Sequence, residues 1–289
     1  YNRAHTIPRL YESLCKQTLQ DFEWLVIDDG SKDDTRNLIE SYIKQQIIPI
    51  KYVYQENQGM HGAHNTAYEN LDTLLNVCID SDDFMPLDAV DKIVNFWKLH
   101  GSDKVAGFMG LDQYLNGGII GNKFPEELKQ STLLGYYESG GSGDKKIVYR
   151  TEIIKQYPAY PIFPGEKYVG LAYKYYLVDQ DYSLLVSNDI LCIVDYQPDG
   201  SSYSMFKQYW NNPKGFAFYR KYRMQFVSSW KRKMIENIHY VSSSLIAKNN
   251  KFISESPMKS MTILAMPFGF LLKLYIQYKV RKGAAMQFK

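Results

Sequence analysis

Short apolar runs and helical patterns alternate along the first hundred residues, and this alternation constrains the fold more than any other feature. Consecutive apolar residues predict strands at 22–27, 51–54 and 74–79. Apolar residues spaced by three and four predict helices at 7–14, 35–48, 62–71 and 86–99. Strands that alternate with helices at this spacing form right-handed β-α-β units on a parallel sheet. The sequence therefore predicts an α/β fold in which helices flank a mostly parallel sheet.

Two of the predicted strands end in clusters of aspartates. Asp28 and Asp29 close one strand, and Asp80, Asp82 and Asp83 follow another. Ligands of open parallel sheets bind beyond the carboxyl ends of the strands, and Asp80 and Asp82 would project to the same side of an extended segment. Neighbouring carboxylates repel unless a cation or donors neutralise them, and oxygen ligands suit Mg²⁺ or Mn²⁺. Both clusters also precede helices, so the alternative is that they form turns and helix N-caps.

Four motifs follow one another over residues 1–90. They are Tyr1-Asn2-Arg3, Asp28-Asp29-Gly30-Ser31, Asn57-Gln58-Gly59 with Ala63 and Asn65, and Asp80-Ser81-Asp82-Asp83. In order and spacing they resemble the inverting glycosyltransferases of family 2, and among these the bacterial enzymes that build capsular or cell-surface polysaccharide. The resemblance implies a GT-A fold, which is Rossmann-like and mostly parallel, and a nucleotide-diphospho-sugar donor. It also implies that the chain begins after the first strand of that fold.

The resemblance implies two contacts with the base of the nucleotide. Tyr1 packs against the base, and Asp29, or else Asp28, accepts a hydrogen bond from uracil. A carboxylate suits the imide N–H of uracil, which cytosine does not offer. The alternative for Tyr1 is a frayed chain terminus.

The segment from 57 to 65 is implied to lie beneath the ribose and the diphosphate. Asn57, Gly59 and Asn65 carry this part of the resemblance, and glycines at 59 and 62 would let the backbone approach the ligand closely. The family often has a basic residue near this point, where this chain has Met60. A phosphate contact at position 60 is therefore not expected.

The D-x-D motif is implied to hold a metal ion. Asp82 ligates the metal, and Asp80 contacts either the ribose or the metal through water. The expected cofactor is Mn²⁺ or Mg²⁺, which neutralises the charge that develops on the departing diphosphate. Asp83 either joins this site or caps the next helix.

A general base must take a proton from the acceptor hydroxyl that attacks the anomeric carbon. Family members commonly place a Glu-Asp pair at a helix start for this task, but here the pair reads Glu166-Lys167. Glu166 is therefore the predicted catalytic base, and the alternative is a glutamate that interacts with the helix dipole. Asp179 and Asp181 are the next candidates. Asp144 is expected either to contact a sugar or to close a turn.

Cysteines and histidines form no pattern typical of a zinc site or a disulfide framework. Cys15, Cys78 and Cys192 are far apart in apolar stretches, so we expect three small buried residues in a reducing compartment. His61 and His64 flank the predicted nucleotide segment. We interpret each as a surface histidine, with recruitment by the Mn²⁺ site as the alternative.

Charge is divided unevenly along the chain. Up to Gly200 there are 18 Lys and Arg against 29 Asp and Glu, and from Ser201 onward there are 16 against 2. The imbalance predicts a boundary near residue 200, followed by a basic, aromatic-rich helical extension at 201–289. The resemblance implies that residues 1–200 form the GT-A catalytic domain. Residues 261–278 are apolar apart from Lys273, but a Pro and a Gly make them a poor transmembrane span. We expect either a basic segment on an anionic leaflet or an ordinary helix packed on the catalytic domain, and no motif supports nucleic-acid binding.

The four motifs and the resemblance that they carry imply an inverting, metal-dependent glycosyltransferase that moves a sugar from a UDP-sugar to a saccharide or lipid-linked saccharide acceptor. Its predicted location is the cytoplasm, with peripheral contact at the inner face of the plasma membrane through residues 201–289. A sugar-nucleotidyltransferase would need a glycine-rich, basic triphosphate loop after the first strand, and none is visible. A third hypothesis, a non-catalytic nucleotide-sugar-binding protein, rests on the missing second acid beside Glu166.

Overall fold

Strands and helices alternate through the first hundred residues, as the sequence predicts. The computed structural model describes residues 1–196 and 205–286. The strands in these residues are β1 Trp24–Asp29, β2 Ile50–Gln55, β3 Leu75–Val77, β4 Val105–Tyr114, β5 Gln130–Ser131, β6 Lys145–Arg150 and β7 Ser183–Val194. The helices there are α1 Ile7–Cys15, α2 Thr35–Gln45, α3 Met60–Asn70, α4 Ala89–His100, α5 Leu133–Glu138, α6 Thr151–Gln156, α7 Ala172–Asp181, α8 Met205–Asn211, α9 Pro213–Phe226, α10 Trp230–Ile246, α11 Phe252–Glu255 and α12 Lys259–Met286.

Prolines and capping side chains account for the starts of several helices. Pro8 lies in the first turn of α1 and Pro213 opens α9, where a missing N–H costs no intrahelical hydrogen bond. Thr132 caps α5 and Ser229 caps α10, because each hydroxyl accepts a hydrogen bond from a backbone N–H in the first turn. The N-termini of these helices are therefore determined by residues that are local in the sequence.

The strands form two sheets. β1 and β2 pair in parallel, with Asp28 opposite Tyr54 and Asp29 opposite Gln55. The second sheet has the order β3-β6-β4-β7-β5, in which β4 and β7 are parallel and the other pairs are antiparallel. The α/β class is as predicted, but this sheet is mixed where we expected mostly parallel pairing. β5 and β6 follow an irregular segment after β4 rather than a full crossover helix, and they therefore enter the sheet in the opposite direction.

The core of the α/β part lies between the central strands and three helices. β4 is buried from Val105 to Asp112. Its Phe108 shares one cluster with Leu10 of α1, Ile39 of α2 and Val90 of α4. Each large apolar side chain buried in this way contributes about 1.5–3 kcal/mol. This packing holds the strand ends at which the aspartate clusters lie.

Two compact units divide the chain. The α/β unit contains the described residues of 1–57, 63–159 and 177–197, and the helical unit contains those of 58–62, 160–176 and 198–289. In the helical unit, α9, α10 and α12 pack around Met224, Tyr240, Val241 and Ala265. The predicted boundary near Gly200 lies outside the described residues, so the division into 1–200 and 201–289 stays a prediction.

Burial of the cysteines and histidines differs from the sequence-based expectation. Cys192 is buried, but Cys15 is partly buried and Cys78 is exposed, because the chain leaves the sheet directly after β3. His61 and His64, which we expected on the surface, are 1% and 9% exposed. His64 lies on α3 with Nδ1 3.4 Å from the Tyr68 hydroxyl and Nε2 3.9 Å from the Cys78 thiol.

Candidate active site

The first acidic cluster lies at the end of β1 and is buried. Asp28 Oδ1 accepts a hydrogen bond from the Ser31 N–H (2.8 Å), and its Oδ2 accepts one from the Tyr52 hydroxyl (2.7 Å). Burial together with this contact raises the pKa of Tyr52. Gly30 has φ 79°, and a Cβ there would lie 2.7 Å from the Asn57 backbone nitrogen. The turn after β1 therefore requires glycine, and Asp28 helps to close it.

Asp29 and Asn57, which we predicted to serve different parts of the nucleotide, are joined by a hydrogen bond. Asp29 Oδ1 accepts a hydrogen bond from Gln55 Nε2 (2.7 Å), and Asn57 Nδ2 donates to the Asp29 carbonyl oxygen (2.8 Å). Gln55 also accepts a hydrogen bond from the Thr66 hydroxyl on α3, next to the predicted residue Asn65. The ends of β1 and β2 and the helix α3 are thus joined by one set of side chains.

The N-terminal residues are held on the turn after β1. The Asn2 N–H donates to Ser31 Oγ (2.8 Å), and the Arg3 N–H donates to Thr35 Oγ1 (3.1 Å). Tyr1 precedes these anchored residues and is 54% exposed. An exposed ring on an anchored backbone is compatible with the predicted packing against a base.

Asp80 and Asp82 lie in a tight turn after β3, and the extended segment that we expected there is wrong. The Asp83 N–H donates to the Asp80 carbonyl oxygen (3.0 Å), which closes the turn. Asp80 is exposed and Asp82 is partly buried. No hydrogen bond within the described part of the chain reaches either carboxylate. These two acids therefore differ from Asp28, whose oxygens accept hydrogen bonds from Ser31 in the turn and from Tyr52 on β2.

Asp83 holds this turn on β7. Its Oδ1 accepts a hydrogen bond from the Asp195 N–H (3.1 Å), and its Oδ2 lies 3.8 Å from the Cys192 thiol. Burial raises the pKa of Asp83 to about 6, although the bond from Asp195 acts in the other direction. The expectation that Asp83 caps the next helix is wrong, because Asp88 occupies the N-cap position of α4.

Arg9 was missed by sequence reasoning. Its Nη1 donates to Asp195 Oδ2 (2.7 Å), its Nη2 donates to the Asp82 carbonyl oxygen (2.5 Å), and its guanidinium lies 4.9 Å from the centre of the Phe84 ring. Helix α1 is thereby tied to the D-x-D turn. The two hydrogen bonds join residues 186 and 73 positions apart, so no local pattern could have indicated them.

A partly buried lysine, Lys146, was also missed, and it lies close to acidic residues of this unit. Lys146 Nζ is 3.8 Å from Asp112 Oδ1, and the two side chains are 11% and 3% exposed. Burial raises the pKa of Asp112 to about 6, although Lys146 opposes this. Burial disfavours the charge of Lys146, but Cys192, Asp112 and Asp80 together raise its pKa. The D-x-D turn therefore has a charged ammonium group within electrostatic reach.

Glu166 caps a helix other than the one that follows it. Its Oε1 accepts a hydrogen bond from the Lys214 N–H (3.0 Å), and its Oε2 accepts one from the Gly215 N–H (2.9 Å). Both amides belong to the first turn of α9, where a carboxylate is stabilised by unpaired N–H groups and the helix dipole. Burial raises the pKa of Glu166, and the two backbone hydrogen bonds oppose that shift.

The other candidate bases also accept hydrogen bonds. Asp179 accepts from the Leu133 and Leu134 N–H groups at the start of α5 (3.0 and 2.8 Å), and burial raises its pKa to about 6. Asp181 Oδ2 accepts from the Tyr157 hydroxyl (2.7 Å). Hydrogen bonding alone therefore does not single out Glu166, Asp179 or Asp181 as the base. Asp144, which we expected to contact a sugar or close a turn, accepts a hydrogen bond from the Tyr196 hydroxyl through Oδ2 (3.2 Å).

The glycines of the 57–65 segment are required by the protein's own atoms. Gly59 has φ 85°, and a Cβ there would lie 2.1 Å from the Lys167 carbonyl oxygen. A Cβ at Gly62 would lie 2.4 Å from Gln58 Cβ. Close approach of a ligand, the reason that we predicted, is not needed to explain either glycine. Asn65 is partly buried on α3.

The D-x-D turn offers oxygen ligands but no complete cage. Among residues 1–196 and 205–286, no group of three or more His, Cys, Asp and Glu side chains is placed to hold a metal ion. The carboxylates of Asp80 and Asp82 are the hard donors that Mg²⁺ and Mn²⁺ favour. Mg²⁺ is usually bound by one or two carboxylates, with water and substrate phosphates as its other ligands. The donor set therefore fits an ion that binds together with a diphosphate.

A sequence profile described as Glycosyl transferase family 2 matches residues 1–154, which is more than half of the chain. The chain belongs to glycosyltransferase family 2. An uncharacterized glycosyltransferase of Nostoc sp. is 32% identical over 176 residues, which are 57% of this chain and 52% of that protein. Poly(ribitol-phosphate) β-N-acetylglucosaminyltransferase TarS of Staphylococcus aureus is 28% identical over 169 residues. These residues are 57% of this chain and 28% of the length of TarS. The matched part is thus about half or less of the length of these relatives.

Solved structures show the same fold. TarS residues 1–349 in complex with UDP-GlcNAc superpose with a TM-score of 0.60 at 17% identity, over 98% of this chain and 90% of that one. The mannosyltransferase PcManGT of Pyrobaculum calidifontis, in complex with GDP-Man and Mn²⁺, superposes with a TM-score of 0.53 at 15% identity. The match covers 100% of this chain and 78% of that one. The predicted GT-A fold is confirmed. Family membership supports the predicted glycosyltransferase class and favours neither the nucleotidyltransferase nor the non-catalytic hypothesis.

Proposed function

We propose that this enzyme transfers a sugar from a UDP-sugar to a saccharide or lipid-linked saccharide acceptor, with inversion at the anomeric carbon. The observation that carries the proposal is the D-x-D turn, whose two carboxylates receive no hydrogen bond from the described residues, whereas Asp28 and Asp83 each accept hydrogen bonds. The family match supports the reaction class. Complexes of TarS with UDP-GlcNAc and with UDP support a uridine nucleotide.

The nucleotide would bind at the ends of β1 and β2. Tyr1 packs against the base, and Asp29 accepts the hydrogen bond from uracil. Asp28 is the alternative, and its two oxygens accept hydrogen bonds from the Ser31 N–H and from the Tyr52 hydroxyl. Asn57 and Asn65 serve the ribose and diphosphate side, and Gly59 shapes the loop between them.

Asp80 and Asp82 would hold Mn²⁺ or Mg²⁺, which when bound neutralises charge on the departing diphosphate. The protein's own part is to fix the turn. Arg9 binds the Asp82 carbonyl oxygen, and Asp83 anchors the turn on β7. Lys146 adds positive charge that does not depend on a metal. The Mn²⁺ complex of PcManGT supports a divalent ion.

Glu166 is our proposed general base. Burial raises its pKa, which makes its carboxylate a stronger proton acceptor, and the two α9 amides fix its orientation. The carboxylate takes the proton of the acceptor hydroxyl while the hydroxyl oxygen bonds to the anomeric carbon and the bond to the diphosphate breaks. Residues 1–200 would form the catalytic domain, and residues 201–289 a basic extension at the inner, cytoplasmic face of the plasma membrane.

Thermal unfolding with nucleotide-sugars tests the donor site, because a ligand that binds the folded state raises the melting temperature. We expect UDP and at least one UDP-sugar, with UDP-GlcNAc tested first, to raise the melting temperature in Mn²⁺. EDTA should abolish the shift in the wild-type protein, and Asp82→Asn should abolish it in Mn²⁺. Shifts that survive both EDTA and Asp82→Asn would reject this site.

A further inference from the structure

Helix α12 exposes a continuous apolar face. Six side chains that share this side of the helix are each 44–63% exposed: Leu264, Phe268, Leu271, Leu274, Tyr275 and Tyr278. At 100° per residue their positions fall within one 120° sector. We call these residues the α12 apolar face, which extends about 21 Å along the helix at 1.5 Å per residue. Monomeric proteins rarely leave such a patch without a partner.

The opposite side of α12 is fixed on α10, so the apolar face cannot turn inward. Ala265 is fully buried, and a Cβ at Gly269 would lie 2.5 Å from the Val241 side chain. Thr262 Oγ1 donates to Asn237 Oδ1 (2.6 Å), and both residues are fully buried. Small residues and a buried hydrogen bond therefore set the rotation of α12 about its axis.

Cations lie at both ends of this face. They are Lys259, Lys279, Arg281 and Lys282. From 205 to 286 the sequence contains two acids, Glu236 and Glu255. Glu236 is buried against Arg220 (2.7 Å) and Arg223 (3.2 Å), and Glu255 accepts a hydrogen bond from Asn249. The cations beside the apolar face therefore have no acidic residue of α12 to neutralise them.

We propose that the α12 apolar face inserts into the headgroup–acyl boundary of an anionic lipid leaflet, with its terminal cations on the lipid headgroups. The segment Lys259–Lys282 is long and apolar enough to cross a membrane by length and composition, with a mean hydropathy of 1.3. A crossing would carry α10, with Lys231, Arg232 and Lys233, into the hydrocarbon. The helix therefore lies in the plane of the membrane. This inference refines the proposed membrane contact of residues 201–289 and does not depend on the donor chemistry.

A second copy of α12 is the competing apolar partner. In a parallel pair each terminal cation group would face its own copy, and in an antiparallel pair Lys259 would face Lys279, Arg281 and Lys282. Both arrangements place like charges together beside an apolar contact. An anionic leaflet offers the opposite charge together with an apolar medium, so charge complementarity favours lipid.

Flotation of the full chain with lipid vesicles tests the proposal. The wild-type protein should float with phosphatidylcholine vesicles that contain about 30% phosphatidylglycerol, and less with phosphatidylcholine alone or in high salt. Leu264→Glu and Leu271→Glu should each lower the vesicle partition coefficient at least about tenfold, because each removes one leucine from the lipid-facing surface. The matched control is Leu99→Glu on α4, where the leucine is 77% exposed, and it should bind as the wild type does.

Two results would overturn this inference. One is vesicle binding by Leu264→Glu and Leu271→Glu that equals the wild type. The other is a dimer, measured by light scattering, that Leu271→Glu dissociates while the wild type ignores vesicles. Release of UDP from a UDP-sugar in solution should be unchanged in both variants, because α12 is distant in sequence from the D-x-D turn and no donor-binding role is assigned to it. Failure of the lipid assay with normal UDP release therefore rejects only the membrane contact.

Discussion

The α/β unit and the helical unit use their charged residues in opposite ways. In the α/β unit Asp83 anchors a turn, while the carboxylates of Asp80 and Asp82 receive no hydrogen bond from the described residues. In the helical unit Glu166 and Glu236 are bound by a helix start and by two arginines, while cations and an apolar helix face stay exposed. In each unit, the side chains that do not stabilise the fold are the ones from which we infer the ligand. They point to a cation with a diphosphate in the first unit and to an anionic surface in the second.

The largest effect is expected where the helical unit uses an acid for structure. Glu236→Ala would leave Arg220 and Arg223 without their carboxylate partner, and Arg220 is only 11% exposed. Breaking a buried ion pair by removing one partner costs about 3–5 kcal/mol. Denaturant unfolding of the full chain should show a loss of this size in the free energy of unfolding. Glu255→Ala, at an exposed glutamate, is the control and should cost less than about 1 kcal/mol. Equal losses of unfolding free energy in the two variants would show that Glu236 is no more important for stability than an exposed glutamate.

The second prediction concerns the carboxylates that the α/β unit leaves open. Asp82→Asn should lower the turnover number about 10²–10³-fold, a loss of about 2.7–4 kcal/mol of transition-state stabilisation. The free energy of unfolding should be unchanged, because no hydrogen bond from the described residues depends on this carboxylate. Asp103→Asn, at an exposed aspartate before β4, is the matched control. A variant with full turnover and unaltered metal dependence would remove the basis for the proposed site.

Glu166→Gln separates the two roles of one carboxylate. The amide NH₂ would face one of the α9 N–H donors, so stability should fall by about 1–2 kcal/mol. As a base variant it should also lower transfer at least about 100-fold while UDP-sugar binding in Mn²⁺ is retained. Turnover by the folded fraction and its pH profile are the readouts, and Glu126→Gln at an exposed site is the control. If transfer per folded molecule is unchanged, Glu166 is only a helix cap.

The smallest effect is a change in the pH dependence of stability. Burial raises the pKa of Asp179 from 3.8 to about 6. The folded state therefore holds this proton more tightly than the unfolded chain, and ionisation of Asp179 lowers stability as the pH rises from about 4 to about 6. In the wild type this ionisation lowers the free energy of unfolding by up to about 1.4 kcal/mol per pH unit, and Asp179→Asn should remove that contribution. Unfolding titrations between these pH values measure it, with Asp181→Asn as the exposed control. A slope equal to that of the wild type would show that Asp179 does not titrate in this range.

Sequence reasoning predicted what depends on neighbouring residues. The alternation of strands and helices and the GT-A fold both follow from short motifs and their order. It did not predict Arg9, Lys146 or the capping of α9 by Glu166, because these contacts join residues far apart in the chain. Their partners are set by packing of whole elements, which no spacing rule encodes.

The mixed sheet and the buried histidines have a similar explanation. A strand pattern gives the period of a strand but not its direction, so β6 could not be distinguished from a parallel strand by its residues alone. The polarity of His61 and His64 suggested the surface, but the packing of the elements that carry them decided their burial. Sequence-based predictions of burial were therefore weakest for polar residues that lie in the protein interior.

The contact between Gly59 and Lys167 has a mechanical consequence. The loop at 58–62 directly follows Asn57, and its glycine lies against the backbone of the residue after Glu166 with no room for a methyl group. The Lys167 N–H is bonded in turn to Asn212 Oδ1 (2.7 Å), at the N-cap position of α9. A side chain of any size at residue 59 would therefore have to push aside the backbone that follows Glu166, and through Asn212 the start of α9. Within the helical unit, the loop at 58–62 and the segment that carries Glu166 are packed together as one piece.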